Sequence, residues 1–167
     1  MQQTFLFGYG SLMFPAGTNN RGMMRFYIYS DYTICRLHDF HRGGYLLWDN
    51  LGYYSIIPAP RKYVLGTVIE IRNEADLNAI LRVEYAKGFV RESQPWAYEV
   101  LDVTSCIGDF KVPSGARVLT VAHPPDREIY DGPLSQWYQN HVFKHIQYYG
   151  PEFVKEFLST GGRAVEG

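Results

Sequence analysis

Phe5-Leu6-Phe7-Gly8-Tyr9-Gly10-Ser11-Leu12-Met13 is the stretch whose reading decides the fold. Residues 3–9 are short, aromatic and β-prone, so they read as a strand, and Gly10-Ser11 ends it abruptly. A glycine there turns the backbone where a Cβ would clash. It also lets the amides of Ser11 and Leu12 converge on a cavity as an anion-binding concavity. On local chemistry alone, an ordinary first strand and turn is the simpler account. A nucleotide loop is excluded, because G-x-G-x-x-G needs a glycine where Met13 stands and no Gly-Lys-Ser/Thr follows.

Working outward, the 167 residues are 46% apolar, enough for one core, and read as a single domain over 1–160 with a frayed tail at 161–167. Sixteen Lys+Arg against 17 Asp+Glu leave a formal charge of −1, which carries no electrostatic footprint for nucleic acid or an anionic membrane. The 14 Tyr, 10 Phe and 3 Trp suit a pocket that is both apolar and hydrogen-bonding, although most of these rings belong in the core. Only Cys35 and Cys106 are present, far apart, with no signal-like N-terminal segment, so a reduced, cytoplasmic setting is expected. No run is long enough to span a membrane.

Along the chain, 14–22 reads as a surface loop, and 33–40, 44–48 and 53–57 as three strands of a meander, the last closed by Pro58. A longer strand is predicted over 62–71, with Gly66 marking a bulge, a bend or a close backbone approach. The period then changes: Asn73 is a cap, and Leu77, Ile80 and Leu81 share one face of a helix ending near Val83. Glu84 follows at its C-terminal edge, where the dipole gives a carboxylate no help. Position alone favours a solvent-exposed side chain over one held in a pocket. Strands over 96–103 and 117–122 precede a helix from Pro133 whose stripe is Leu134, Trp137, Tyr138, Val142, Ile146 and Tyr149. A second helix buries Phe153, Val154, Phe157 and Leu158.

His141 and His145 stand four apart, a metal-ligand spacing, but no third ligand and no His-Glu-x-x-His accompany them, so no metal is expected. Ser11 lacks the second glycine of Gly-x-Ser-x-Gly, and the two thiols sit in apolar contexts as inert cysteines.

Four segments together carry a resemblance: Phe7-Gly8-Tyr9-Gly10-Ser11-Leu12; Arg36-Leu37-His38-Asp39-Phe40; Gly66-Thr67-Val68-Ile69-Glu70 leading on to Leu77 and Glu84; and 133–151. In that order and spacing the chain resembles the γ-glutamylcyclotransferase-like family from Phe5 to Pro151. The resemblance implies an α+β fold, a mixed, partly closed β-barrel with flanking helices around one cavity. It further implies that the backbone of Tyr9, Gly10, Ser11 and Leu12 holds a glutamyl carboxylate, that Glu84 is the general acid/base, and that Tyr98 lines the cavity. Glu84-Tyr85 departs from the family's frequent Glu-Gly. The activity so implied is intramolecular attack of a γ-glutamyl compound's α-amine, releasing 5-oxoproline and a free amine with no cofactor. The alternative is a non-catalytic module that binds a small carboxylate metabolite in the same cavity. The leaving group and the oligomeric state stay open.

Overall fold

The structure, a computed structural model, describes residues 1–19 and 26–161. Ten elements follow in order: β1 (Thr4–Gly8), α1 (Pro15–Thr18), β2 (Tyr32–Trp48), β3 (Leu51–Ile71), α2 (Glu74–Val83), β4 (Glu99–Asp102), β5 (Ile107–Gly108), β6 (Arg117–Ala122), α3 (Gln136–Ile146) and α4 (Pro151–Ser159). The strands form one mixed sheet in the order β4-β6-β1-β3-β2-β5, with β1 parallel to β6 and every other pairing antiparallel. The sheet curls into a half-barrel flanked by helices, the expected α+β architecture. The last residues of the predicted tail, 162–167, and 20–22 of the predicted loop lie outside the described residues.

β1 is central because all five of its residues are buried, as an apolar strand between two partners requires. Gly66 on the neighbouring β3 is the expected close approach, since a Cβ there would lie 2.1 Å from the Gly8 carbonyl oxygen. The predicted meander is instead one long ribbon. β2 and β3 each run unbroken, joined at a two-residue turn where Asp49 (φ 51°) and Asn50 (φ 67°) adopt the left-handed conformation that hairpins of this length demand. What the sequence presents as strand ends are register shifts at 38–40 and 43–46, and Pro58, lacking an N–H, sits at the first of them opposite Phe40. The predicted loop after the opening turn contains α1, a single turn begun by Pro15 at its first position.

α2 matches its expected bounds. The Asn73 side chain accepts the Asp76 amide at 2.8 Å, and Leu77, Ile80 and Leu81 face the core. β4 is shorter than expected because 96–98 bonds to the exit of α2: the Ala97 amide donates to the Tyr85 carbonyl at 2.7 Å and the Lys87 amide to the Tyr98 carbonyl at 2.9 Å. α3 begins at Gln136 rather than Pro133, since Pro133 and Ser135 pair with Gly52 and the Ser135 hydroxyl caps the helix. Its stripe is narrower than predicted. Val142 and Ile146 are buried, whereas Trp137 lies outside, 71% exposed and stacked on His141. On α4, Phe153 and Phe157 are buried, Val154 is half-buried and Leu158 is exposed.

Candidate active site

The N-terminal turn behaves as its glycines suggest. After β1 the chain passes Tyr9 and Gly10 into a single helical turn, Ser11–Met13, closed by the Met13 amide donating to the Gly10 carbonyl at 3.1 Å. A Cβ on Gly10 would lie 2.2 Å from the Tyr138 hydroxyl, so glycine keeps space open where α3 meets the turn. The Ser11 amide points into that space and donates to the Tyr138 hydroxyl at 3.3 Å.

Opposite stands Glu84, and here the solvent-exposed reading is overturned. Glu84 caps the C-terminus of α2 in a Schellman motif, with the Tyr85 amide donating to the Arg82 carbonyl at 3.0 Å and the Ala86 amide to the Leu81 carbonyl at 2.9 Å. The motif needs a left-handed residue after the cap. Glycine usually supplies it; here Tyr85 does so at φ 52°, its ring held against Trp48 with centroids 5.0 Å apart. That non-glycine residue fills the place where the family often has glycine, at a backbone cost of about 1–2 kcal/mol. The sharp reversal turns the Glu84 side chain inward. As a residue it is half-buried, its side chain lines the cavity, and burial of the carboxyl pushes its pKa up to about 7.

Gly8, Tyr9, Ser11, Glu84, Tyr98 and Tyr138 share the wall of this inner chamber with Gly10, Leu12, Tyr54 and Val121. Thus the structure brings together every residue expected of the site: Tyr9, Gly10, Ser11, Leu12, Glu84 and Tyr98. The tyrosines are fixed by hydrogen bonds: the Tyr9 hydroxyl donates to the Val121 carbonyl at 2.6 Å and the Tyr98 hydroxyl to the Tyr54 carbonyl at 2.7 Å. Burial raises the pKa of the Tyr9, Tyr98 and Tyr138 hydroxyls, so all three are neutral around pH 7 and Glu84 is the lining group that titrates there. With Tyr138 in place the chamber has space for about one water, 10 Å³ for the centre of a water-sized sphere. It adjoins an outer chamber of about 160 Å³ by the same measure, which shares Ser11, Glu84, Tyr98 and Tyr138 and adds Trp48, Tyr53 and Tyr85.

Sequence reasoning missed Tyr54 and Tyr138. Tyr138 read as a packing residue on the helix stripe, and Tyr54 as part of the strand over 53–57; the abundance of tyrosine hinted at such a lining without saying which residues form it. His141 and His145 do share a face, with rings 4.8 Å apart, but aromatic neighbours occupy them: His141 stacks on Trp137 and His145 on Phe14. Among the described residues no group of three or more His, Cys, Asp or Glu is gathered for a metal. Cys35 is buried, with its thiol pushed up to about 12 by desolvation. No described helix is long and apolar enough to cross a membrane.

A structure titled γ-glutamyl cyclotransferase superposes on 99% of this chain and 92% of its own, with a TM-score of 0.62 at 16% identity. The chain has the γ-glutamylcyclotransferase-like fold. An uncharacterized protein from Homo sapiens shares it (TM-score 0.60, 17% identity, 100% of this chain and 93% of that one). So does YkqA from Bacillus subtilis (TM-score 0.63, 18% identity), where the match takes in 98% of this chain and 57% of the other. No family model matches the sequence, and no curated protein matches it. At such identities the cyclotransferase-like likeness is one of fold, and the chemistry must be argued from the cavity.

Proposed function

We propose that this protein is a γ-glutamyl cyclotransferase, acting on a γ-glutamyl amine or amino acid to release 5-oxoproline and the free amine. The observation that carries the reading is the Glu84 carboxyl, raised to about 7 by burial, in the wall of a tyrosine-lined chamber into which the Ser11 amide also points. A proton carrier works best when its pKa lies near the operating pH.

In this reading the substrate's α-carboxylate takes the Ser11 amide, replacing the Tyr138 hydroxyl that now accepts from it. The α-ammonium group gives one proton to Glu84 and becomes a nucleophile; its nitrogen bonds to the γ-carbon, and as the tetrahedral centre collapses a second proton passes from that nitrogen to water, from which the released amine takes it up. The bond between the γ-carbon and the departing nitrogen breaks as Glu84 returns its proton there. One proton remains on the lactam nitrogen. Because the ring closes intramolecularly, holding the substrate folded supplies much of the rate, with effective molarities of about 10⁵ M or more, and proton transfer adds about 10²–10⁴-fold. The outer chamber, walled by Trp48, Tyr53 and Tyr85, receives the leaving group.

The test is product identity. Incubation with γ-glutamyl amines, γ-glutamyl amino acids and glutathione is expected to yield 5-oxoproline from at least one class, and an α-N-acetylated analogue that still competes for binding is expected to stay intact. Glutamate as the first product, or cleavage of the capped analogue at a similar rate, points to hydrolysis and overturns the reading.

A further inference from the structure

Arg42, on β2, is fully buried, yet no carboxylate among the described residues pairs with it. Its guanidinium donates to three backbone carbonyls, of Tyr9 at 3.3 Å, Leu65 at 2.9 Å and Phe157 at 2.7 Å, and to the Thr160 hydroxyl at 3.2 Å, while Nε has no partner. The Phe157 ring lies 3.7 Å from its central carbon and the Tyr54 ring 5.7 Å. Neutral acceptors and ring faces solvate a cation without cancelling its charge, and a buried charge left uncompensated is costly enough to need a reason. Two of these contacts lead to the cavity: Tyr9 begins the turn, and Tyr54, whose ring lies beside the guanidinium, also lines the chamber.

We propose that Arg42 is the positioning residue of the carboxylate turn, a fixed buried cation that holds the Tyr9 carbonyl from behind and leaves the chamber with a positive charge for an anionic ligand to complete. The inference rests on the cyclotransferase reading, in which that anion is the glutamyl α-carboxylate. Burial pulls the guanidinium down to about 10, so it remains charged throughout the neutral range. The arrangement works as a selector: the turn's amides serve a carboxylate or a carboxamide oxygen alike, whereas the charge favours the carboxylate alone. In a poorly screened interior a full charge near the site is worth roughly tenfold in affinity.

The test uses two unreactive probes, 5-oxoproline and its primary carboxamide, titrated by NMR into the wild-type protein and into three variants. Wild type is expected to prefer the acid by roughly tenfold. Arg42→Lys keeps the charge and the preference; Arg42→Gln loses it. Thr160→Asp puts a carboxylate where the Thr160 hydroxyl now meets the guanidinium, neutralising Arg42 without deleting it, and is expected to lose the preference while keeping the melting temperature at or above that of wild type. A merely structural Arg42 forecasts the same stability for that variant but with the acid preference intact, and that result overturns the proposal even if Arg42→Gln does not fold. Wild-type turnover of a γ-glutamyl anilide to 5-oxoproline separates the two readings. A wild type that turns over but binds both probes equally sinks the Arg42 role alone, and one that neither turns over nor binds either probe sinks both.

Discussion

The end of α2 and the middle of β2 each bury one ionisable side chain that has no partner of opposite charge among the described residues, and the two respond differently. Desolvation disfavours the charged form in both cases, pushing Glu84 up to about 7 and Arg42 down to about 10. A carboxyl starts a few units below neutrality, so burial moves it to where its proton exchanges readily. A guanidinium starts so far above that the same treatment leaves it charged. A single physical effect thereby leaves one group titrating near neutrality and the other a fixed charge.

The largest effect that breaks this contrast falls on Glu84. Glu84→Gln keeps the shape and removes the exchangeable proton, so turnover is expected to drop by about 10²-fold or more in a steady-state assay. The turn comes next. Gly10→Ala sets a methyl 2.2 Å from where the Tyr138 hydroxyl now lies, and is expected to weaken binding of 5-oxoproline by about tenfold in a titration of the folded variant. Wild-type affinity in that variant would remove the turn from the site.

A third expectation concerns stability, with the sign set by the raised pKa. Folded Glu84 holds its proton up to about 7 while the unfolded chain releases it near the ordinary carboxyl value, so its stabilising effect is complete below that value and is lost as pH rises through about 7. Above neutrality the native state therefore carries a buried charge that Glu84→Gln lacks. Chemical denaturation is expected to show the variant about 3 kcal/mol more stable than wild type at pH 8, with the difference vanishing at pH 4. Equal stability at both would mean that the carboxyl is solvated. The smallest effect lies at the Schellman turn: Tyr85→Gly and Tyr85→Ala both lose the Trp48 contact, but only alanine keeps the left-handed strain, so alanine is expected to be less stable by about 1 kcal/mol.

Much of this was legible in the sequence, because it rests on local rules. The opening strand and its glycine turn, the Asn73 cap and the face of Leu77, Ile80 and Leu81 are short-range features, and they bring Tyr9–Leu12 and α2 to the site. The ribbon of β2 and β3 was not, since Asp39 at φ 67°, Gly43 and Pro58 look like strand ends when pairing partners are unknown. Glu84 shows the same limit. At the end of a helix a glutamate reads as solvated, and what turns it inward is Tyr85 accepting the left-handed conformation usually left to glycine, followed by Ala97 bonding back to the Tyr85 carbonyl. Tyr138 and Arg42 act across long stretches of chain, on Ser11 and on the Tyr9 and Phe157 carbonyls, and no local pattern marks either.

The most direct test of Glu84 as the proton carrier is the pH dependence of kcat/KM for 5-oxoproline release by wild type between pH 4 and 7.5, where the substrate's α-amine, held above the usual amino-terminal range by its neighbouring carboxylate, stays protonated. Only the carboxylate form of Glu84 can accept the first proton, so kcat/KM is expected to rise tenfold per pH unit at the acid end and level off about pH 7, while the residual activity of Glu84→Gln shows no such limb. A wild-type limb that levels off near the ordinary carboxyl value, or one that survives unchanged in Glu84→Gln, would contradict the account.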